Sequence, residues 1–84
     1  MPTTEEFINQ NWAAFLTDFR RFIALGGVAK TGEGIRASAN FIRELLVKWL
    51  GAEVHVIETA GSPVVTATLH GQSDQAVLFY AHYD

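Results

Sequence analysis

The stretch Val77-Leu78-Phe79-Tyr80-Ala81-His82-Tyr83-Asp84 decides the predicted fold. Residues 76–81 show no polar alternation, which is typical of a central β-strand buried on both faces. The run leads into His82 and Asp84, and side chains two apart on a strand point to the same side. Ligand sites of α/β sheets gather at the carboxyl ends of strands. The stretch therefore predicts a histidine and a carboxylate at one sheet edge, although two solvated side chains are the simpler interpretation of a lone His-x-Asp.

The composition predicts a protein whose apolar surface needs cover from outside the chain. The 84 residues allow one domain, and a chain of this size has only a marginal core. Hydrophobic residues make up 49% and charged residues 18%, against about 25% charged in a typical soluble domain. Because monomers rarely expose large apolar patches, we expect a homo-oligomer or a part of a larger protein.

The charge, the absence of cysteine and the distribution of apolar residues argue against several classes of protein. The net charge is −3 and the six Lys and Arg residues are scattered, apart from Arg20-Arg21, which argues against nucleic-acid binding. Without cysteine, neither disulfides nor thiolate-zinc sites can form. The segment Met1–Glu6 lacks the basic start of a signal peptide, and no apolar run approaches the ~18 residues of a membrane span. These features predict a cytoplasmic protein with no membrane partner.

Two amphipathic helices are predicted between Thr3 and Gly51. The first begins at a capping box, Thr3-x-x-Glu6, and ends at Gly26-Gly27. The second is predicted to have Thr31 as its N-cap and Gly51 just after its end. Apolar residues recur at three- and four-residue spacing in both. In the first helix they are Ile8, Trp12, Phe15, Leu16, Phe19, Phe22 and Ile23; in the second, Ile35, Ala39, Ile42, Leu45, Leu46, Trp49 and Leu50.

Three strands are predicted after Gly51, where the hydrophobic period changes from 3.6 to 2. They cover residues 53–56, 64–69 and 76–81, and the short turns between them favour antiparallel neighbours for both successive pairs. The fold class is α/β, or α+β for these residues alone, in the order ααβββ with two helices packed on a small sheet. Such a sheet leaves an apolar edge open, which is a hazard for pairing with other chains.

Histidines and carboxylates elsewhere are predicted to be ordinary surface residues. A catalytic zinc site needs about three protein ligands, and His55, His70 and His82 are the only histidines. His55 lies on the polar face of the first strand. His70 ends the second strand, which is the wrong end to meet His82 if the strands are antiparallel. The glutamates are predicted to be solvated charges.

Four stretches together resemble the amino-terminal part of the dizinc aminoacylase and dipeptidase superfamily, which includes carnosine dipeptidase and acetylornithine deacetylase. The stretches are Phe19–Ala24, Gly34–Leu46, Gly51–Val65 and Val77–Asp84. The likeness covers nearly all of residues 1–84, as a single partial catalytic domain. The family usually has glycine where Ala81 stands, and a Pro-Ser-Val-like turn where this chain has Leu25-Gly26-Gly27-Val28.

The resemblance implies a zinc-dependent hydrolase of dipeptides or N-acyl amino acids. By its pattern, His82 would bind one of two zinc ions and Asp84 would orient the His82 ring. The remaining ligands and the general-base glutamate lie further along in the family, after a Val-Gln-Pro that typically follows His-Tyr-Asp. We therefore expect a fragment that is inactive alone. Two alternatives remain: a non-catalytic, self-associating ααβββ module, and a metal site shared by His82 and Asp84 across a dimer.

Overall fold

The computed structural model describes all 84 residues and has an α+β architecture. Helix α1 spans Thr4–Ala24 and helix α2 spans Ile35–Leu50. Strand β1 spans Glu53–Ile57 and strand β2 spans Val64–Thr68. The two strands form one antiparallel sheet, and residues 69–84 contain no regular secondary structure. The predicted helices and first two strands are confirmed; the third strand is not.

Helix α1 begins and ends close to where its sequence predicts. The Thr3 hydroxyl accepts a hydrogen bond from the Glu6 N–H at 3.1 Å, which satisfies one of the orphan donors of the first turn. Helical hydrogen bonding continues to Ala24, and the chain then leaves the helix through Gly26 at φ 62°. The predicted apolar stripe is only partly covered, because Phe15, Leu16 and Phe22 are half-buried while the remaining members are exposed.

Helix α2 starts three residues later than predicted. Thr31 does not cap it: the Thr31 hydroxyl accepts from the Glu33 N–H at 3.3 Å within the preceding loop. Gly34 is the N-cap residue, in the left-handed conformation at φ 70°, and no side chain caps the helix. A β-carbon at Gly34 would lie 2.8 Å from the Gly26 carbonyl oxygen. Because the loop approaches this closely, the position requires glycine and cannot carry a capping side chain. The end at Gly51, φ 60°, is as predicted.

The β1–β2 hairpin packs against α2. Glu53 pairs with Thr68 and Ile57 with Val64, which confirms the predicted antiparallel pairing. Val54 and Val56 are half-buried while their neighbours in β1 are exposed, the alternation of a strand with one covered face. Helix α2 contacts both strands and α1 contacts α2, so α2 lies between the outer helix and the sheet.

The prediction of a third, central strand over residues 76–81 is wrong for this chain. Backbone-to-backbone hydrogen bonds total 41, and none involves residues 69–84. Val77, Leu78, Phe79 and Tyr80 are 79–91% exposed. The backbone N–H and C=O groups of a strand find no hydrogen-bond partners within the strand itself, so they require a neighbouring strand. A fully apolar strand also requires layers on both faces, which two helices and one hairpin do not supply.

The core is small. The buried apolar residues are Ile35 and Ala39 in α2, Ala52 in the link to β1, and Pro63 just before β2. The radius of gyration is 14.5 Å, against about 12 Å for a compact domain of this length. The molecule is only 16 Å across in its thinnest direction. This thin shape explains why apolar side chains that periodicity assigns to a core remain partly exposed.

A buried carboxylate connects the two helices. Asp18 is 6% exposed and accepts from the Trp49 indole N–H at 2.9 Å, while the Lys48 ammonium lies 3.4 Å away. The hydrogen bond from Trp49 is the main reason that the pKa of Asp18 is lowered, and Lys48 also lowers it, although burial acts in the opposite direction. The Phe15 and Trp49 rings meet edge to face at 4.7 Å beside it. A paired buried charge therefore sets how α1 lies on α2.

Candidate functional site

His82 and Asp84 contact each other although their strand does not form. Nδ1 of His82 lies 3.4 Å from Oδ1 of Asp84, an ion-pair distance that is long for a hydrogen bond. The Tyr80 ring packs edge to face on the His82 ring at 5.7 Å. The His82 side chain is 76% exposed, and its polar contact in the chain is made through Nδ1 and not through its second ring nitrogen, Nε2. The imidazole therefore has one nitrogen beside a carboxylate and one free to bind a ligand.

Tyr83 holds the terminal segment against the hairpin. Its hydroxyl donates a hydrogen bond to the Pro63 carbonyl oxygen at 2.5 Å, and the ring is half-buried. Burial raises the pKa of the Tyr83 phenol, and the negative charges of Asp84 and Glu58 act in the same direction against Arg36. Because Pro63 immediately precedes β2, the segment after β2 turns back and runs toward the start of that strand. An open cleft of about 440 Å³ lies between Ser62–Val65 and Phe79–Asp84.

An ion pair joins the start of α2 to the end of β1 near this cleft. The Arg36 guanidinium contacts both carboxylate oxygens of Glu58, with the Nη2–Oε2 distance at 2.7 Å. The contact lowers the pKa of Glu58 and raises that of Arg36. No local pattern could have predicted this pair, because 22 positions separate the two residues. It ties the first turn of α2 to the hairpin turn that borders the His82 side of the molecule.

The other two histidines lie at the opposite end of the hairpin. His55 projects from the polar face of β1, with Nε2 3.3 Å from the Glu53 carboxylate. His70 follows β2, with Nε2 3.8 Å from the same carboxylate. Glu53 begins β1, whereas Pro63 and Tyr83 meet beyond the other end of the strand pair. The structure thus places neither His55 nor His70 beside His82.

The groups around His82 do not make a complete metal site. An imidazole oriented through Nδ1 by a carboxylate, with Nε2 open, is the arrangement of many zinc-binding histidines. No group of three or more histidine, aspartate or glutamate side chains is arranged to hold a metal ion. A catalytic zinc needs about three protein ligands. No catalytic step through zinc can therefore be derived for these 84 residues alone.

Comparisons with known proteins do not identify the chain. No protein-family model, no curated protein and no solved structure matches it. Neither helix is both long and apolar enough to cross a lipid bilayer. The relationship to dizinc hydrolases therefore stays a prediction based on the four matching stretches.

Proposed function

We propose that these 84 residues form the amino-terminal part of the catalytic domain of a cytoplasmic, zinc-dependent dipeptidase or N-acyl amino acid deacylase. His82 would bind one of two zinc ions through Nε2, and Asp84 would position the ring. The observation that supports this most is the 3.4 Å contact between His82 Nδ1 and Asp84 Oδ1, which leaves Nε2 unpartnered. In the resemblance to dizinc hydrolases, the motif Tyr80-Ala81-His82-Tyr83-Asp84 implies the same roles for His82 and Asp84.

The exposed segment before His82 also supports the proposal. Val77–Tyr80 has the composition of a central strand but lacks hydrogen-bonding neighbours in this chain. In a larger sheet it would gain strand partners and cover on both faces, and His82 would then lie at the strand's carboxyl end. The chain supplies one proposed zinc ligand and no general base, so we expect it not to hydrolyse amides alone.

Zinc bound by the complete domain would polarise the scissile carbonyl and lower the pKa of a bound water. The contribution of this chain is narrower. Asp84 would hold the His82 ring in one orientation and favour the tautomer with a proton on Nδ1, so that the lone pair of Nε2 faces the metal. Asp84 is therefore a positioning residue, since it touches the ligand and not the substrate.

The proposal is tested with the protein encoded by the complete reading frame that contains these residues. We expect the frame to continue with Val-Gln-Pro or a similar sequence, and the purified protein to hydrolyse dipeptides or N-acetyl amino acids when loaded with zinc. His82→Ala should abolish activity and lower the zinc content. Asp84→Asn should weaken zinc binding by about 10–100-fold. His55→Ala, an exposed histidine elsewhere, is the matched control; full activity in His82→Ala would refute the assignment.

A second candidate function is a non-catalytic module that self-associates, and the exposed apolar run supports it. Val77, Leu78, Phe79 and Tyr80 are adjacent, and both edges of the two-stranded sheet are unpaired. An exposed apolar segment beside an open edge favours pairing between copies. Analytical ultracentrifugation decides: we expect dimers or larger species that dissociate in Phe79→Lys. A monodisperse monomer at high micromolar concentration would exclude this candidate.

A further inference from the structure

We infer that one face of helix α1 is a docking surface for a second copy of this chain, in an antiparallel helix pair. The surface consists of four apolar residues, Ile8, Trp12, Phe19 and Ile23, which we call the α1 stripe. Each of them is between 41% and 58% exposed. At 3.6 residues per turn they lie within about 60° of one another around the helix axis. The α1 stripe is separate from the Val77–Tyr80 run, and its role does not depend on zinc chemistry.

The rest of the chain leaves the α1 stripe uncovered. The side chains of α1 that contact aromatic residues of α2 are Phe15, Asp18 and Phe22. The α1 stripe is rotated from this covered side by roughly 80° around the helix. Helix α2 is the one element that packs on α1, because α2 lies between α1 and the hairpin. A contiguous exposed apolar surface of this kind is typical of an interaction site.

The spacing of the stripe points to a second copy as its occupant. The gaps between its four residues are four, seven and four positions, which read the same in both directions. If two α1 helices lie antiparallel about a two-fold axis between residues 15 and 16, Ile8 faces the partner's Ile23 and Trp12 faces the partner's Phe19. Each contact then occurs twice, as a two-fold symmetric interface requires. The central pairs are aromatic, and such residues dominate the binding energy of many interfaces.

The charges at the two ends of α1 select the antiparallel orientation. Glu5 and Glu6 lie in the first turn, whereas Arg21 lies in the last turn and Arg20 precedes it. An antiparallel pair brings the acidic end of each helix toward the basic end of the other, and the two helix dipoles then oppose each other favourably. A parallel pair would bring like charges together at both ends. The charge pattern is therefore complementary to itself in the same orientation that matches the apolar residues.

The area of the stripe determines how strong the association should be. Because a large aromatic side chain offers about 150–250 Å², four residues that are about half exposed offer on the order of 400 Å² per copy. The total of roughly 800–1,000 Å² lies at the low end of specific interfaces. We therefore expect a concentration-dependent dimer with a dissociation constant of about 10–100 μM, and not a permanent one.

Sedimentation equilibrium of the 84-residue chain tests the surface, over about 5–500 μM, which spans the expected dissociation constant. We expect a monomer–dimer equilibrium that Trp12→Lys and Phe19→Lys each weaken at least about 30-fold, since each copy loses a central aromatic contact and gains a charge. Gln10→Lys is the matched control, because it adds the same charge about 170° away from the centre of the stripe. It should change the dissociation constant less than about twofold. Circular dichroism should show the same helix content in all variants.

Disulfide trapping tests the orientation, because the chain has no cysteine of its own. Ile8→Cys mixed with Ile23→Cys should form a cross-linked dimer in a glutathione buffer. Ile8→Cys alone should not, since the two copies of residue 8 lie about 22 Å apart along an antiparallel pair. Disulfides cannot join residues whose Cα atoms are more than about 7 Å apart.

Three outcomes would overturn the inference. The first is a monomer at all concentrations, and the second is efficient cross-linking of Ile8→Cys with itself. The third is a dimer that Phe79→Lys dissociates and Trp12→Lys does not, which would assign self-association to the Val77–Tyr80 run instead. None of these results bears on His82, whose proposed role is tested by zinc content and hydrolysis.

Discussion

Residues 3–68 and residues 69–84 differ in how they obtain their structure. The first region contains two capped or glycine-terminated helices and a hairpin, and each element satisfies its backbone from residues near in sequence. The second region is more continuously apolar over 77–80, yet it is exposed and makes no backbone hydrogen bonds to other backbone groups. The comparison shows that hydrophobicity alone does not build a strand, because a strand needs a partner edge and covered faces.

The largest expected difference between the regions is the cost of removing an apolar side chain. Ile35 is 4% exposed, so Ile35→Ala should lower the free energy of unfolding by about 2–5 kcal/mol. Leu78 is almost fully exposed, so Leu78→Ala should change the free energy of unfolding by less than about 0.5 kcal/mol. Urea unfolding followed by circular dichroism measures both. Similar losses in the two variants would mean that residues 77–80 pack in solution.

The second prediction concerns the loop that positions α2. Gly34→Ala should destabilise the chain by about 2–4 kcal/mol, because a left-handed residue gains a β-carbon that meets the Leu25 and Gly26 carbonyl oxygens. Gly32 also has a positive φ, but a β-carbon there meets nothing within 4 Å. Gly32→Ala is therefore the matched control and should lose only about 1–2 kcal/mol. Equal losses would show that backbone strain, and not the close approach, determines the effect.

The third prediction is a pH dependence that arises in the first region. The pKa of Asp18 is lowered in the folded chain, so its charged contacts stabilise the fold above its ordinary pKa of 3.8. This contribution disappears as pH falls through the lowered folded-state pKa. Asp18→Asn keeps the shape but lacks the charge. The stability difference between parent and Asp18→Asn should therefore be larger near pH 7 than near about pH 2.5, as measured by urea midpoints. A constant difference would contradict the charge pairing.

The smallest predicted effect is a gain in stability. Ser38 is 1% exposed and its hydroxyl has no hydrogen-bond partner, which is an unfavourable state for a buried polar group. Ser38→Ala should raise the free energy of unfolding by up to about 1 kcal/mol, seen as a higher melting temperature. Ser73→Ala, which loses only an exposed contact to the Gln75 N–H, should be close to neutral. Destabilisation by Ser38→Ala would show that the hydroxyl has a partner in solution.

The sequence predicts the local elements well and the tertiary contacts poorly. The Thr3 cap, the Gly51 end and the change of period after it are all confirmed by the structure. The Thr31 cap is wrong because Gly34 approaches the carbonyl groups of residues 25 and 26, a contact that spacing does not encode. The hydrogen bond from Trp49 to Asp18 joins residues 31 positions apart. Helical periodicity predicts that both residues lie in helices, but it does not predict that they contact each other.

For the candidate site, the sequence predicted which residues carry the chemistry but not their surroundings. The sequence predicts His82 and Asp84 on one side of a strand. In the structure the two residues contact each other, but on a segment without strand pairing. No pattern in the sequence predicts the hydrogen bond from Tyr83 to Pro63, which returns this segment to the hairpin. The sequence shows only that the amphipathic Tyr83 ring lies between two polar residues, and this pattern does not predict which residue the ring contacts.

The sequence by itself determined the two helices, the hairpin and the identity of the His82–Asp84 pair, because caps, glycine positions and hydrophobic period act over a few residues. Only the tertiary structure decided that residues 76–81 stay unpaired, that Asp18 joins α1 to α2, and that His55 and His70 share Glu53. These outcomes depend on which distant segments are present to pair, and pairing energy comes from contacts that no local pattern contains.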